Sequence, residues 1–306
     1  MKKLILKTVS YQALEQAFKS WLIALGYSES TCYNLPTLVR EFLHYQEQQK
    51  KELKDWQPTD FKAFMEHCKR RTNERRAGAL SSNHLNKIAH ALDLLQQYLN
   101  KINQVDFYYK ITRLKSETKV LQIFSKQQIK ELYEACDETL MGYRNRVLLG
   151  LCYGCGLRRS EAVNLEMSDL WWDKSLLQVR KTKTKKSRLV PMTKQLQADF
   201  YYYQQQIRPL LIKEKEPPYF LLSNRGRKLG KQTLYKSFVS LLKTIDLPQT
   251  GLHTLRHSIA SHLAASGMAS EQIAQFLGHQ TLDSTQIYVH LKSSNDEDKN
   301  LSTKFV

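Results

Sequence analysis

The sequence predicts a mostly α protein with a small β-sheet confined to the second of two domains. Three observations carry this. The 306 residues include only 11 Gly and 7 Pro, too few turn formers for an all-β chain. Apolar residues in the first hundred positions recur at helical spacing, and clear strand alternation appears only later, on either side of one Lys-rich turn. The length exceeds what one hydrophobic core of about 250–300 residues comfortably serves.

Taken in order, Leu14, Ala17, Trp21 and Leu25 predict a helix over 11–25 that Gly26 can end. A second helix is expected over 28–48, with Leu38, Val39, Phe42 and Leu43 as its apolar side and Pro36 as a kink or the true start. A third follows Pro58, with Phe61, Phe64 and Met65. The fourth is the clearest: Ser81 as N-cap, then Leu85, Ile88, Leu92, Leu95 and Leu99. The period is lost after residue 100, so 1–105 reads as a helical domain and 106–123 as a linker. A capping box formed by Ser125 and Gln128, with Phe124 placed to staple onto Ile129, opens the second domain. Helices are expected over 143–153 and 159–165. Two strands, Leu176-Leu177-Gln178-Val179 and Arg188-Leu189-Val190, form a hairpin, and Tyr219-Phe220-Leu221-Leu222 reads as a third strand. Helices return near 194–207, 231–245, 254–266, 270–278 and 282–290.

Lys and Arg number 47 against 29 Asp and Glu, a formal net charge of +18. Residues 1–120 carry 20 basic and 12 acidic side chains, so the excess is shared by both halves. A basic balance of this size favours a polyanionic partner, and both domains are placed to clamp nucleic acid. No apolar run reaches the roughly 18–20 residues of a membrane span. The apolar stretch after Met1-Lys2-Lys3 is too short for a signal peptide, which predicts a cytoplasmic protein with its five Cys reduced.

Two metal or redox patterns are weak. Cys152 and Cys155 lack a second Cys pair for zinc and read as small buried residues. His253 and His257 lie one helical turn apart, but Arg256 between them would repel a cation. The predicted metal content is none.

The same region reads better as phosphoryl chemistry. His253 and Arg256 share one helix face. An Arg grips two phosphate oxygens, and a His exchanges protons near neutral pH. His279 follows in Leu277-Gly278-His279, and Tyr288, a potential covalent nucleophile, in Thr285-Gln286-Ile287-Tyr288. Upstream, Gly156-Leu157-Arg158 opens a helix containing Glu161, and the hairpin turn holds Lys181, Lys183, Lys185 and Lys186 before Arg188-Leu189-Val190-Pro191.

These five motifs, in this order and approximate spacing, resemble the tyrosine site-specific recombinases, the family of phage integrases and Xer-type recombinases. The resemblance covers nearly the whole chain. It implies a helical core-binding domain at 1–105, a mixed α+β catalytic domain at 124–291, and a tail at 292–306 that docks on a neighbouring subunit. It implies Arg158, Lys183, His253, Arg256, His279 and the nucleophile Tyr288 as catalytic residues, Glu161 in support, and Lys181, Lys185, Lys186 and Arg188 as DNA contacts. Thr182 and Thr184 flank Lys183 where the family often has Gly. The implied activity is cleavage and rejoining of specific double-stranded DNA sites through a 3′-phosphotyrosyl link, without cofactor, metal or ATP, by a homotetramer on two sites at the bacterial nucleoid. A DNA-binding protein without catalysis and a type IB topoisomerase-like relaxing enzyme are the alternatives.

Overall fold

A computed structural model describes residues 4–73, 78–115, 121–180, 187–213 and 215–279. Lys181, Lys183, Lys185, Lys186, Tyr288, the expected helix at 282–290 and the tail at 292–306 lie outside the described residues. The chain divides into two compact units, Met1–Lys119 and Val120–Val306. No described helix is long and apolar enough to cross a membrane.

The first unit is built from four helices: α1 (Val9–Ala24), α2 (Glu29–Gln48), α3 (Pro58–Arg70) and α4 (Ser82–Lys101). Local chemistry sets their ends. Gly26 turns the chain after α1 at φ +76°, a conformation that favours a residue without Cβ. The hydroxyls of Ser28 and Ser81 accept from the backbone N–H groups of Thr31 and His84, capping α2 and α4. Pro36 lies within α2, and the helix runs through it. Phe18, Leu22, Phe42, Leu43, Phe61, Ile88 and Leu92 are fully enclosed between the helices. Phe42 sits at the centre, stacked on Phe61 with ring centroids 4.7 Å apart and edge-on to Trp56 and Phe64.

The segment expected as a linker begins instead as part of this core. Ile111 is buried, and Phe107, Tyr109 and Leu114 pack beside it. Polar side chains of α4 hold this strap by its backbone. Gln96 donates to the carbonyl of Tyr109 (3.2 Å) and accepts from its N–H (2.7 Å). Asn86 closes the same pair of bonds with Leu114, each 2.8 Å long. Asn100 donates to the carbonyl of Phe107 (2.9 Å). Side-chain amides replace the missing ladder partners, so an extended segment is fixed without any apolar period for the sequence to show.

The second unit opens on α5 (Lys126–Glu134), where Ser125 and Gln128 form a reciprocal capping box. Next come α6 (Leu140–Leu149), a π-helical turn at Gly150–Gly154, and α7 (Arg159–Asn164). A Cβ at Gly150 would lie 2.6 Å from the Phe200 ring, so the glycine admits close packing there. Strands β1 (Leu170–Trp171), β2 (Leu176–Val179) and β3 (Arg188–Pro191) form an antiparallel sheet in the order β1-β2-β3, with Leu177 opposite Val190 and Val179 opposite Arg188. The expected strand at 219–222 is not in this sheet. It is an irregular buried segment touching its neighbours through isolated bridges at Tyr219 and Leu222, and Phe220, Leu221 and Leu222 are all enclosed. A continuous apolar run signals burial without specifying what the segment pairs with. The strand that does pair is two residues long, too short for alternation to register.

Five helices complete the unit: α8 (Lys194–Tyr202), continued by a π-helical turn at Tyr203–Ile207, α9 (Arg208–Leu211), α10 (Lys231–Thr244), α11 (His253–Ala265) and α12 (Ser270–Leu277). A main core runs from Phe124 to Leu255. A smaller cluster, Ala260, Ala264, Ile273 and Leu277, joins α11 to α12 and takes in Leu121, so the other end of the expected linker also packs.

Candidate active site

Three chain reversals meet at one place in the second unit. The turn after the π-helical segment passes through Gly156 at φ +60°. A Cβ there would lie 2.8 Å from the Leu277 side chain, and the positive φ independently favours glycine at this turn. Arg158 follows as the residue capping α7. The first turn of α11 brings His253, Arg256 and His257, and the C-terminus of α12 turns through Gly278, φ +65°, to His279. Strand β3 contributes Arg188.

Glu161 is the hub. Its Oε1 accepts from Arg158 (2.9 Å) and Arg188 (3.2 Å), and its Oε2 from the Arg158 backbone N–H and from Arg188 (both 2.8 Å). Arg256 lies 3.8 Å from Oε2. Burial acts to raise the Glu161 carboxyl. The bonds and charge of Arg188 and the bonds from Arg158 outweigh it and hold the group down at about 2. Three guanidinium groups thus share one carboxylate, a surplus of positive charge among the described residues.

The three arginines are graded in exposure. Arg158 has 21% of its side chain exposed, Arg188 9% and Arg256 2%. Arg256 donates to the carbonyls of Gly156 and Leu277, tying the α7 and α12 turns together. Arg158 extends a terminal nitrogen to the Gly278 carbonyl at 3.4 Å.

The imidazoles stand beside this charge. His253 is exposed at the start of α11, its ring 4.8 Å from that of His257. Burial, with the positive field of His253 and Arg256, pushes His257 down to about 4. Burial and then Arg256, Arg158 and Arg188 push His279 to about 4 as well, so both are neutral near pH 7. A neutral imidazole can donate one N–H and accept at its other nitrogen.

The structure therefore brings together Arg158, Glu161, His253, Arg256 and His279 from positions up to 121 residues apart. It adds His257. It places Arg188, expected as a DNA contact, inward against Glu161. Strand alternation carried that signal: Arg188 shares the inner face of β3 with the buried Val190, while Leu189 points out. Cys152 and Cys155 are buried in the main core, where burial pushes both thiols up to about 12. Among the described residues no cluster of three His, Cys, Asp or Glu could hold a metal ion.

Residues 122–295 match the model of the phage integrase family. The tyrosine recombinase XerD of Lacticaseibacillus casei is 35% identical over 156 residues, which is 51% of this chain and 53% of that protein. The XerD of Oceanobacillus iheyensis is 28% identical over 291 residues, 94% of this chain and 96% of that one. The first match spans about half the relative's length and the second nearly all of it. The fold is similar to a crystal structure of XerH recombinase in a post-cleavage complex with its palindromic difH substrate, with a TM-score of 0.71 at 21% identity, covering 96% of this chain and 85% of that one.

Proposed function

The chain belongs to the phage integrase family of tyrosine recombinases, and from that premise we propose that it cuts and rejoins specific duplex DNA sites through Tyr288. The observation that supports this reading best is the gathering of Arg158 and Arg256 at one buried carboxylate, with His279 in the field of both and His253 one turn before Arg256 on α11. Such a site presents surplus positive charge and imidazoles to one phosphate.

In the proposed step the Tyr288 hydroxyl attacks the scissile phosphorus and its proton passes to His253. Arg158 and Arg256 neutralise charge growing on the non-bridging oxygens. His279, neutral at working pH, donates a hydrogen bond to the phosphate. The bond from phosphorus to the 5′-oxygen breaks, and Lys183 delivers a proton to the leaving oxygen. The 3′-phosphotyrosyl link conserves the phosphodiester, so a 5′-hydroxyl of a partner strand reverses the step without ATP. Lys181, Lys185 and Lys186 add backbone phosphate contacts, and the helical first unit adds a second basic surface for DNA. Four copies on two sites, linked through residues 292–306, complete the reading, and its substrate places the protein at the nucleoid.

A supercoiled plasmid carrying two recombination sites tests the proposal. Rearranged product is expected only when both sites are present, and equally in excess EDTA. Relaxation of plasmids lacking a site indicates a relaxing enzyme, binding without strand breakage indicates a non-catalytic DNA-binding protein, and activity lost to EDTA and restored by Mg²⁺ contradicts the metal-free step.

A further inference from the structure

Each of the three guanidinium nitrogens of Arg188 donates to a neighbour. Its Nε donates to the Phe276 carbonyl at 2.9 Å, and its two terminal nitrogens reach the two oxygens of Glu161. That is a planar fork on a carboxylate, the geometry only Arg provides. Arg158 by contrast reaches Glu161 with a single side-chain nitrogen. Arg188 therefore orients the carboxylate, and Arg158 is aligned by it.

A second feature points the same way. A Cβ at Gly278 would fall 2.8 Å from a terminal nitrogen of Arg188 and 2.9 Å from its Cδ. The left-handed turn that delivers His279 is thus moulded against the Arg188 side chain. A residue so enclosed is poorly placed to bind a phosphate itself.

We propose that Arg188 is a positioning residue for strand cleavage: by forking Glu161 and bracing the C-terminal turn of α12, it sets where Arg158 and His279 meet the scissile phosphate. The proposal rests on the recombinase reading above. Without Arg188, Glu161 is left to close both oxygens on Arg158 and draw its guanidinium back, while the turn before His279 loses its support.

The test separates occupancy from chemistry on a duplex carrying one recombination site. Kd and its salt dependence are measured alongside the single-turnover cleavage rate at saturating protein, for wild type, Arg188→Lys, Arg188→Gln, Glu161→Gln and the double variant Arg188→Gln/Glu161→Gln. Arg188→Gln, which loses the charge, is expected to keep the wild-type salt slope because no phosphate contact is lost, and Arg188→Lys is expected to bind DNA within about threefold of wild type. Its cleavage rate at saturation is expected to fall by about 10–100-fold, since an ammonium keeps the charge but cannot fork the carboxylate. The double variant is expected to be no slower than the slower single one, as befits two residues acting as a unit. A salt slope reduced by about one with the saturated rate intact makes Arg188 a direct phosphate contact and overturns the proposal. A full rate in Arg188→Lys, or multiplied defects in the double variant, overturns it too. Wild type is the control on the underlying reading: no covalent adduct there defeats the recombinase assignment, whereas a wild-type adduct with an undiminished rate in Arg188→Lys defeats only the positioning role. Should Arg188→Gln fail to fold, Arg188→Lys, which keeps charge and stem, carries the test.

Discussion

Both units use buried or half-buried polar side chains to hold chain that forms no helix or strand, and they balance charge differently. On α4, Gln96 and Asn86 each pair with both backbone groups of one strap residue, donor to acceptor and acceptor to donor. Beside these amides the strap's Arg113 pairs with Asp93 of α4 and donates to the Asn86 carbonyl, one cation to one anion. At Glu161 the same tasks of joining turns and fixing helix ends fall to three guanidinium groups on one carboxylate. The first arrangement satisfies itself. The second leaves more cations than anions among the described residues, the property expected of a place built to receive an anion. The strap is held by neutral amides and one balanced ion pair, and the candidate site by an unbalanced ionic cluster that suits an incoming phosphate.

The comparison breaks most visibly at the hub. Glu161→Ala removes the carboxylate from between Arg158, Arg188 and Arg256, and leaving buried charge uncompensated costs about 3–5 kcal/mol. Urea unfolding should show the loss in the second unit. An unchanged midpoint would mean that the arginines repel one another less than their placement requires. Gln96→Ala should cost less, about 1–3 kcal/mol, because it strands only the neutral N–H and carbonyl of Tyr109. Hydrogen exchange should place that loss at the strap, with Tyr109 opening ahead of the α1–α4 core. Loss of the whole first unit would show that the strap is integral to it.

The smallest effect is set by pH. His257 and His279 are held down to about 4 in the folded chain, against an ordinary value near 6.5. The unfolded chain therefore takes up protons first as the medium is acidified, so stability falls between pH 6.5 and 4. Glu161, held at about 2, contributes fully above its ordinary value of 4.5 and loses that contribution only between 4.5 and 2. The amides of Asn86, Gln96 and Asn100 do not titrate, and burial raises the Asp93 carboxyl, so the folded chain takes up that proton first and acidification does not weaken the strap there. Acidification to pH 5 should therefore raise exchange in α11 and α12 and leave the strap on α4 protected. Equal change at both places would contradict the contrast.

What the sequence makes legible follows the same division. Caps at Ser28, Ser81 and Ser125 and the apolar stripes of α2 to α4 announce the helices because their physics is local. The site residues stand out because phosphate chemistry restricts them to a few residue types. The strap is illegible because Asn86 and Gln96 look like ordinary surface polar residues until Leu114 and Tyr109 arrive beside them. Strand β1 is two residues long and leaves no pattern. Arg188 reads as one more cation near a Lys-rich turn, and only its shared face with Val190 shows that it points inward.

The central claim is that Tyr288 forms the bond to DNA. A nicked duplex that traps the cleaved strand, incubated with wild type and Tyr288→Phe and separated under denaturing conditions, tests it directly. The variant lacks one oxygen and should bind the site as wild type does. Wild type is expected to give a denaturant-resistant protein–DNA adduct whose modified peptide contains Tyr288, and Tyr288→Phe is expected to give none. An adduct persisting in Tyr288→Phe, or one mapped to another residue in wild type, would contradict the account.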